Sequence, residues 1–198
     1  NWIDKVSSIV DIWYPGEEGG HAVAAVLSGE YNPGAKLPIT FPVSEAQLPL
    51  VYNHKPTGRG DDYENLTGLP LFPFGYGLSY TTFEYSNLTI EKPIAKKGDK
   101  INLSFFVTNT GKRAGDEVAQ LYVRDQIASV ARPVQALKGF ERIHLQPGAS
   151  KTITLTLNPE DFEMLNEKME TVIEPGDFTI MIGSSSRDIR LKKTVTLQ

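Results

Sequence analysis

Between residues 83 and 198 apolar and polar side chains alternate with a period of two, in seven separate runs. In KINLSFFVTNTG, Ile101, Leu103, Phe105 and Val107 share one face; in KTITLTLNP, Ile153, Leu155 and Leu157 alternate with Thr152, Thr154 and Thr156. Successive side chains of a strand point to opposite faces, so this pattern describes half-buried antiparallel strands and does not suit a helix. The runs YSNLTIEKP, EVAQLYVRD, ALKGFERIHL, GDFTIMIGSS and RLKKTVTLQ complete the set. Turn formers such as Asn109-Thr110-Gly111, Gln146-Pro147-Gly148 and Glu174-Pro175-Gly176 separate them.

Seven short strands in one domain predict an all-β sandwich of immunoglobulin-like or fibronectin type III-like form over residues 83–198. Within it, PEDFEMLNE predicts one short helical turn capped by Asn158. The aromatics Tyr122, Phe140, Phe162 and Phe178 fall in alternating runs or turns and read as buried, with no exposed stripe.

Residues 1–82 obey a different rule. VSSIVDIW, from Val6 to Trp13, is apolar and β-branched and stops at Tyr14-Pro15-Gly16, which predicts a buried strand. HAVAAVLSG then places Ala22, Val23, Val26 and Leu27 at helical spacing before a stop at Gly29, and Lys36 to Phe41 predicts a second short strand. Two strands and a helix cannot cover both faces of a parallel sheet, so the expectation is a partial α/β layer whose partners lie upstream. The chain opens at Asn1-Trp2-Ile3-Asp4 without Met, as the tail of a larger protein would. Residues 42 to 82 are rich in Pro, Gly and aromatics; solvated linkers are poor in rings, so this stretch is expected to pack against something.

Chemistry-bearing residues are few. Net charge is −4, which gives no basic field for nucleic acid or an anionic membrane, and no apolar run reaches the roughly 20 residues that span a bilayer. Cysteine is absent, and His21, His54 and His144 lack metal-ligand spacing, so neither metal nor cofactor is expected. Glu17 and Glu18 stand at a strand-to-helix turn, where α/β sheets place ligands. A glycosidase pair needs carboxyls about 5 to 9 Å apart on independently positioned backbones, so these neighbours read as structural helix caps. PGEEGG lacks the Lys-Ser/Thr ending of a phosphate loop, and its acids would repel phosphate. Arg59, in KPTGRGDDY, is a substrate-binding candidate, as are Phe72 and Tyr76, whose ring faces suit a sugar. The competing reading makes Arg59 a solvated loop charge and the rings interface packing.

Longer motifs carry a family likeness: WYPGEEGGHAVAAVLSGEYNPGAKLPITFP, PLFPFGYGLSYTTFEY, NTGKRAGDEVAQLYVRD, RPVQALKGFERIHLQPG and PGDFTIMIGSSS. In this order, over essentially the whole chain, they resemble the C-terminal third of glycoside hydrolase family 3 β-glucosidases. The resemblance implies residues 1–82 as the end of an α/β sandwich domain and 83–198 as a fibronectin type III-like domain, with an N-terminal barrel and the remainder of the α/β domain as partners. It implies a retaining, exo-acting enzyme that removes terminal β-linked sugars from oligo- or aryl-β-glycosides, with an Asp nucleophile and a Glu acid/base that both precede this chain. No catalytic residue is carried over, and the chain alone is expected to be inactive. A periplasmic or secreted location is implied, with the cytoplasm open. The alternative is a carbohydrate-binding or structural sandwich without catalytic role.

Overall fold

The computed structural model describes residues 3–57 and 67–198. The seven runs form β1 (Phe83–Ile90), β3 (Ile101–Asn109), β4 (Gly115–Asp125), β5 (Ala136–Leu145), β6 (Ser150–Leu157), β9 (Gly176–Gly183) and β10 (Ile189–Leu197). Three two-residue strands, β2 (Ile94–Ala95), β7 (Met164–Leu165) and β8 (Thr171–Val172), are too short to show a period. One sheet has the order β1-β3-β6 and the other β2-β10-β9-β4-β5, while β7 and β8 form a separate ribbon. All pairings are antiparallel except β2 with β10.

Register explains the dry interior. Ile101 faces Leu157, Leu103 faces Leu155 and Phe105 faces Ile153, so apolar residues meet across β3 and β6 on one side while threonines take the other. From the second sheet Ala119, Leu121, Val123, Phe178, Ile180, Ile182 and Val195 close the core. Tyr85 stacks on Phe105 at 6.2 Å and Phe162 meets Phe178 edge-on at 5.0 Å. Each large apolar side chain buried this way contributes about 1.5–3 kcal/mol. The predicted helical turn is a 3-10 turn at Pro159–Phe162. There Asp161 reaches back to accept the Asn158 backbone N–H at 2.9 Å.

Phe140 departs from expectation: it is 65% exposed. It lies on β5, the edge strand of the larger sheet, directly opposite Gln120, whose side chain is on the outer face. The core therefore lies on the other side of the sheet from this ring.

The N-terminal part differs more. Helix α1 (Gly19–Ser28) forms as predicted and ends at Gly29, whose φ of 77° sits in the left-handed region and lets its N–H bond the Val26 carbonyl at 3.0 Å. Residues 6–13, expected as a buried strand, join no sheet among the described residues, and Ile9 is 45% exposed. A strand exists only through its neighbours, and nothing described here offers it an edge. The second predicted strand is a staple between two segments: Phe41 bridges Phe72 in antiparallel fashion, and Leu37 N–H donates to the Tyr76 carbonyl at 2.8 Å. Residues 67–80 thus fold back over the 37–41 segment, and both lie against the sandwich.

Candidate functional site

Glu18 occupies the N-cap position of α1, but its carboxylate makes no capping bond to the helix backbone. Its φ of −82° and ψ of 4° lie outside the extended region from which a cap side chain reaches the first-turn N–H groups. The carboxylate instead meets His21 Nδ1 at 2.8 Å, with both side chains more than four-fifths exposed. Glu17 lies beside it, exposed in the turn. The expected carboxylate cap is therefore corrected to an exposed Glu18–His21 pair.

The aromatic candidates form a chain of ring contacts. Phe72 stacks on Tyr76 at 5.2 Å and 15°, Phe41 meets Phe72 edge-on at 6.3 Å, and Trp13 meets Phe41 edge-on at 6.4 Å. Phe72 and Tyr76 each give one face to the other and are half-buried; Trp13 is half exposed and Tyr14 fully so. Arg59, with the Arg59-Gly60-Asp61 triplet, lies outside the described residues. The histidines are dispersed: His21 on α1, His144 against Asp116, and His54 with Nδ1 3.0 Å from the Lys55 carbonyl oxygen. Among the described residues no group of three or more His, Cys, Asp or Glu could hold a metal ion.

What the structure does bring together is the joint, whose aromatics the sequence named as interface packing but whose polar residues it did not single out. Lys36 Nζ lies 2.9 Å from Glu117 Oε1, with the side chains 13% and 7% exposed. Asn32 donates to the Ala114 carbonyl at 2.8 Å and accepts from Ser79 and from the Tyr80 N–H. Gln120 donates to the carbonyls of Gly75 at 3.1 Å and Ser184 at 2.7 Å, while Tyr122 OH donates to Gln120 Oε1 at 2.5 Å. Arg113 reaches the Gly29 carbonyl at 3.1 Å, a cation on the negative end of α1, and lies over the Tyr80 ring. Tyr52 stacks on Phe74 at 4.3 Å and meets Tyr122 edge-on. These contacts bury Gln120 and Tyr122 on the outer face of β4, so this strand is covered on both sides.

At the joint's rim Asp116 accepts from Arg142 and from His144, and Arg142 also donates to Tyr31 OH at 3.2 Å. Partial burial opposes ionisation of Asp116, yet the hydrogen bonds from His144 and Arg142 and the Arg142 charge hold its carboxyl below the usual carboxylate range. Burial pushes Asp125 the other way, against the pull of Arg132 at 3.8 Å. Tyr85, buried and without a hydrogen-bond partner for its hydroxyl, is pushed well above the ordinary phenol range by burial and by the charge of Glu117. The arrangement is that of a clamp: it fixes one layer against another and presents no nucleophile beside a base.

The profile for the glycosyl hydrolase family 3 C-terminal domain matches residues 1–80, and that for a fibronectin type III-like domain matches residues 117–186. A periplasmic β-glucosidase of Salmonella typhimurium is 43% identical over 94% of the chain, and a β-xylosidase of Formosa agariphila 44% identical over 98%. The chain spans about a quarter of these relatives' length, 26% and 27%. Among solved structures, a β-glucosidase of Erythrobacter marinus superposes over the whole chain with a TM-score of 0.94 at 42% identity, and covers 26% of that protein. A Listeria innocua β-glucosidase in complex with glucose superposes over 94% of the chain with a TM-score of 0.90 at 36% identity, again over 27% of its own length.

Proposed function

Because the chain belongs to glycoside hydrolase family 3, as its C-terminal region, we propose that it completes and braces a retaining, exo-acting β-glucosidase-like enzyme without supplying either catalytic carboxylate. Residues 1–82 act as the end of the α/β sandwich domain and 83–198 as the accessory sandwich. The observation that carries this reading is the run before α1. Val6, Ile9, Val10, Ile12 and Trp13, within eight residues of sequence, are about half exposed, with no strand partner among the described residues. Apolar exposure concentrated in one segment suits an interface, and the remainder of the α/β domain is what it fits.

In this reading the parent enzyme's own carboxylates form and hydrolyse the glycosyl-enzyme intermediate, while the chain holds the wall they stand on. Phe72, Tyr76 and Arg59 remain the substrate-side candidates. Terminal β-linked glucose is the proposed substrate, with β-xylosides the competing one, and the likeness to a periplasmic β-glucosidase of Salmonella supports a periplasmic or secreted location. A direct test incubates the isolated chain, and separately the enzyme with and without it, with an aryl β-glucoside and an aryl β-xyloside. The chain alone is expected to release no phenol, and its removal to abolish activity on both substrates. Turnover by the isolated chain that survives repurification and vanishes in Glu18→Ala would overturn the proposal.

A further inference from the structure

A cleft of about 480 Å³ lies between the segments around Tyr52 and Pro70 and the outer face of the five-stranded sheet, and its charge is of one sign. Arg124, Arg187 and Lys192 line it, and no Asp or Glu does among the described residues. Sheet register explains how two of these cations converge. Tyr122, Met181 and Lys192 stand in one row across β4, β9 and β10, and Arg124 is two residues beyond Tyr122 on the same face. Two strand spacings of about 4.8 Å and one two-residue step of about 7 Å separate their backbones, within the combined reach of an Arg and a Lys side chain.

None of the three makes an ion pair among the described residues, and the nearest acids are committed elsewhere. Asp125, next to Arg124, faces Arg132 at 3.8 Å. Asp188, next to Arg187, is held by two bonds to Arg190 at 2.8 and 2.7 Å and accepts from Ser184 Oγ at 2.6 Å. Ser186, at the same wall, is 4% exposed, and its hydroxyl has no hydrogen-bond partner among the described residues. A buried hydroxyl without a partner is uncommon, and three cations with no ion pair among the described residues, gathered around one concavity, favour the approach of an anion.

We propose that this cleft is a binding site for an oxyanion, a carboxylate or phosphate group carried by a molecule of sugar size. The guanidinium groups of Arg124 and Arg187 offer planar forks matched to such a group, Lys192 adds a point charge, and Tyr52 and Met181 supply an apolar wall for the carrier. The volume falls in the range of small-molecule sites. The site is separate from the proposed glycosidase role, and the failure of one leaves the other standing.

Isothermal titration of the chain with inorganic phosphate, sulfate and glucuronate, at constant ionic strength, tests it, with glucose as the neutral control. Saturable one-to-one binding of an oxyanion is expected, weakened at least about tenfold in Arg124→Gln/Lys192→Gln and absent for glucose. All three cations are exposed, so the variant keeps its fold, which its melting curve checks. Lys151→Gln, which removes a cation paired with Glu141 outside the cleft, should leave binding unchanged. Tighter binding of glucuronate than of phosphate assigns the site to a sugar carboxylate, and the reverse order to a free phosphate-like anion. No saturable binding, binding unchanged in the double variant, equal weakening by Lys151→Gln, or glucose binding as well as glucuronate would overturn the proposal.

Discussion

Replacing Lys36 with Met would leave the Glu117 carboxylate without its counter-ion in a site where that side chain is 7% exposed. The Val118 N–H, at 2.8 Å from the same Oε1, would still donate to it, and the Arg190 charge and the Tyr85 hydroxyl would still act on it. Breaking a buried pair on one side costs about 3–5 kcal/mol. For a chain of this length each kcal/mol lowers Tm by about 2–4 °C, so Lys36→Met should melt roughly 6–20 °C early. Removing both charges is milder: Lys36→Met/Glu117→Gln should recover most of the loss, giving a coupling energy above about 2 kcal/mol in the double-mutant cycle. Urea denaturation at pH 7, followed by circular dichroism and tyrosine fluorescence, reads both effects. A Lys36→Met protein within about 0.5 kcal/mol of the parent, with no coupling to Glu117→Gln, would refute the view that this pair clamps the joint.

Gly75→Ala places a Cβ 2.1 Å from Gln120 Oε1 at a residue with φ of 79°, so thermal melting should show a loss of at least about 1–3 kcal/mol. Glu18→Gln removes a carboxylate whose partner is an exposed His21, and should change stability by under about 0.5 kcal/mol; a loss near 1 kcal/mol or more would reinstate a capping role. Asp116, whose folded pKa is depressed, contributes stability that is present above the unfolded value of about 3.9 and is lost as pH falls through the lower folded value. Urea midpoints measured from pH 7 to pH 3 should therefore fall at the acid end in the parent and fall less in Asp116→Asn.

The sandwich was legible because one buried face forces alternation, and Ile101, Leu103, Phe105 and Val107 obey that rule with every second side chain in the core. The outer face of β4 was not. Gln120 and Tyr122 occupy positions that alternation assigns to solvent, and their cover comes from residues more than forty positions earlier. Val6 to Trp13 failed for the complementary reason: β-branched composition signals a strand wherever a neighbour exists, and pairing is a non-local property. Glu18 carried the right residue type for a cap, but its backbone angles decide what the carboxylate reaches. Phe72 and Tyr76 could be named from sequence as packing or as sugar platforms; their mutual stacking became visible only once residues 37–41 and 71–76 were brought side by side.

Many bonds across the joint end on main-chain carbonyl oxygens: Gly75 for Gln120, Ala114 for Asn32, Gly29 for Arg113, and His54 and Phe74 for the N–H groups of Val134 and Ser186. A carbonyl is supplied by every residue type, so such a seam reads chain path and is indifferent to side-chain identity along most of its length. Sandwich domains exchanged between related enzymes should therefore dock in the recipient, provided that Asn32, Gln120, Arg113 and the Lys36–Glu117 pair have equivalents and the turn at Gly75 keeps its shape. The seam makes the two layers interchangeable parts, which lets either one change its outward-facing surface without renegotiating its attachment to the other.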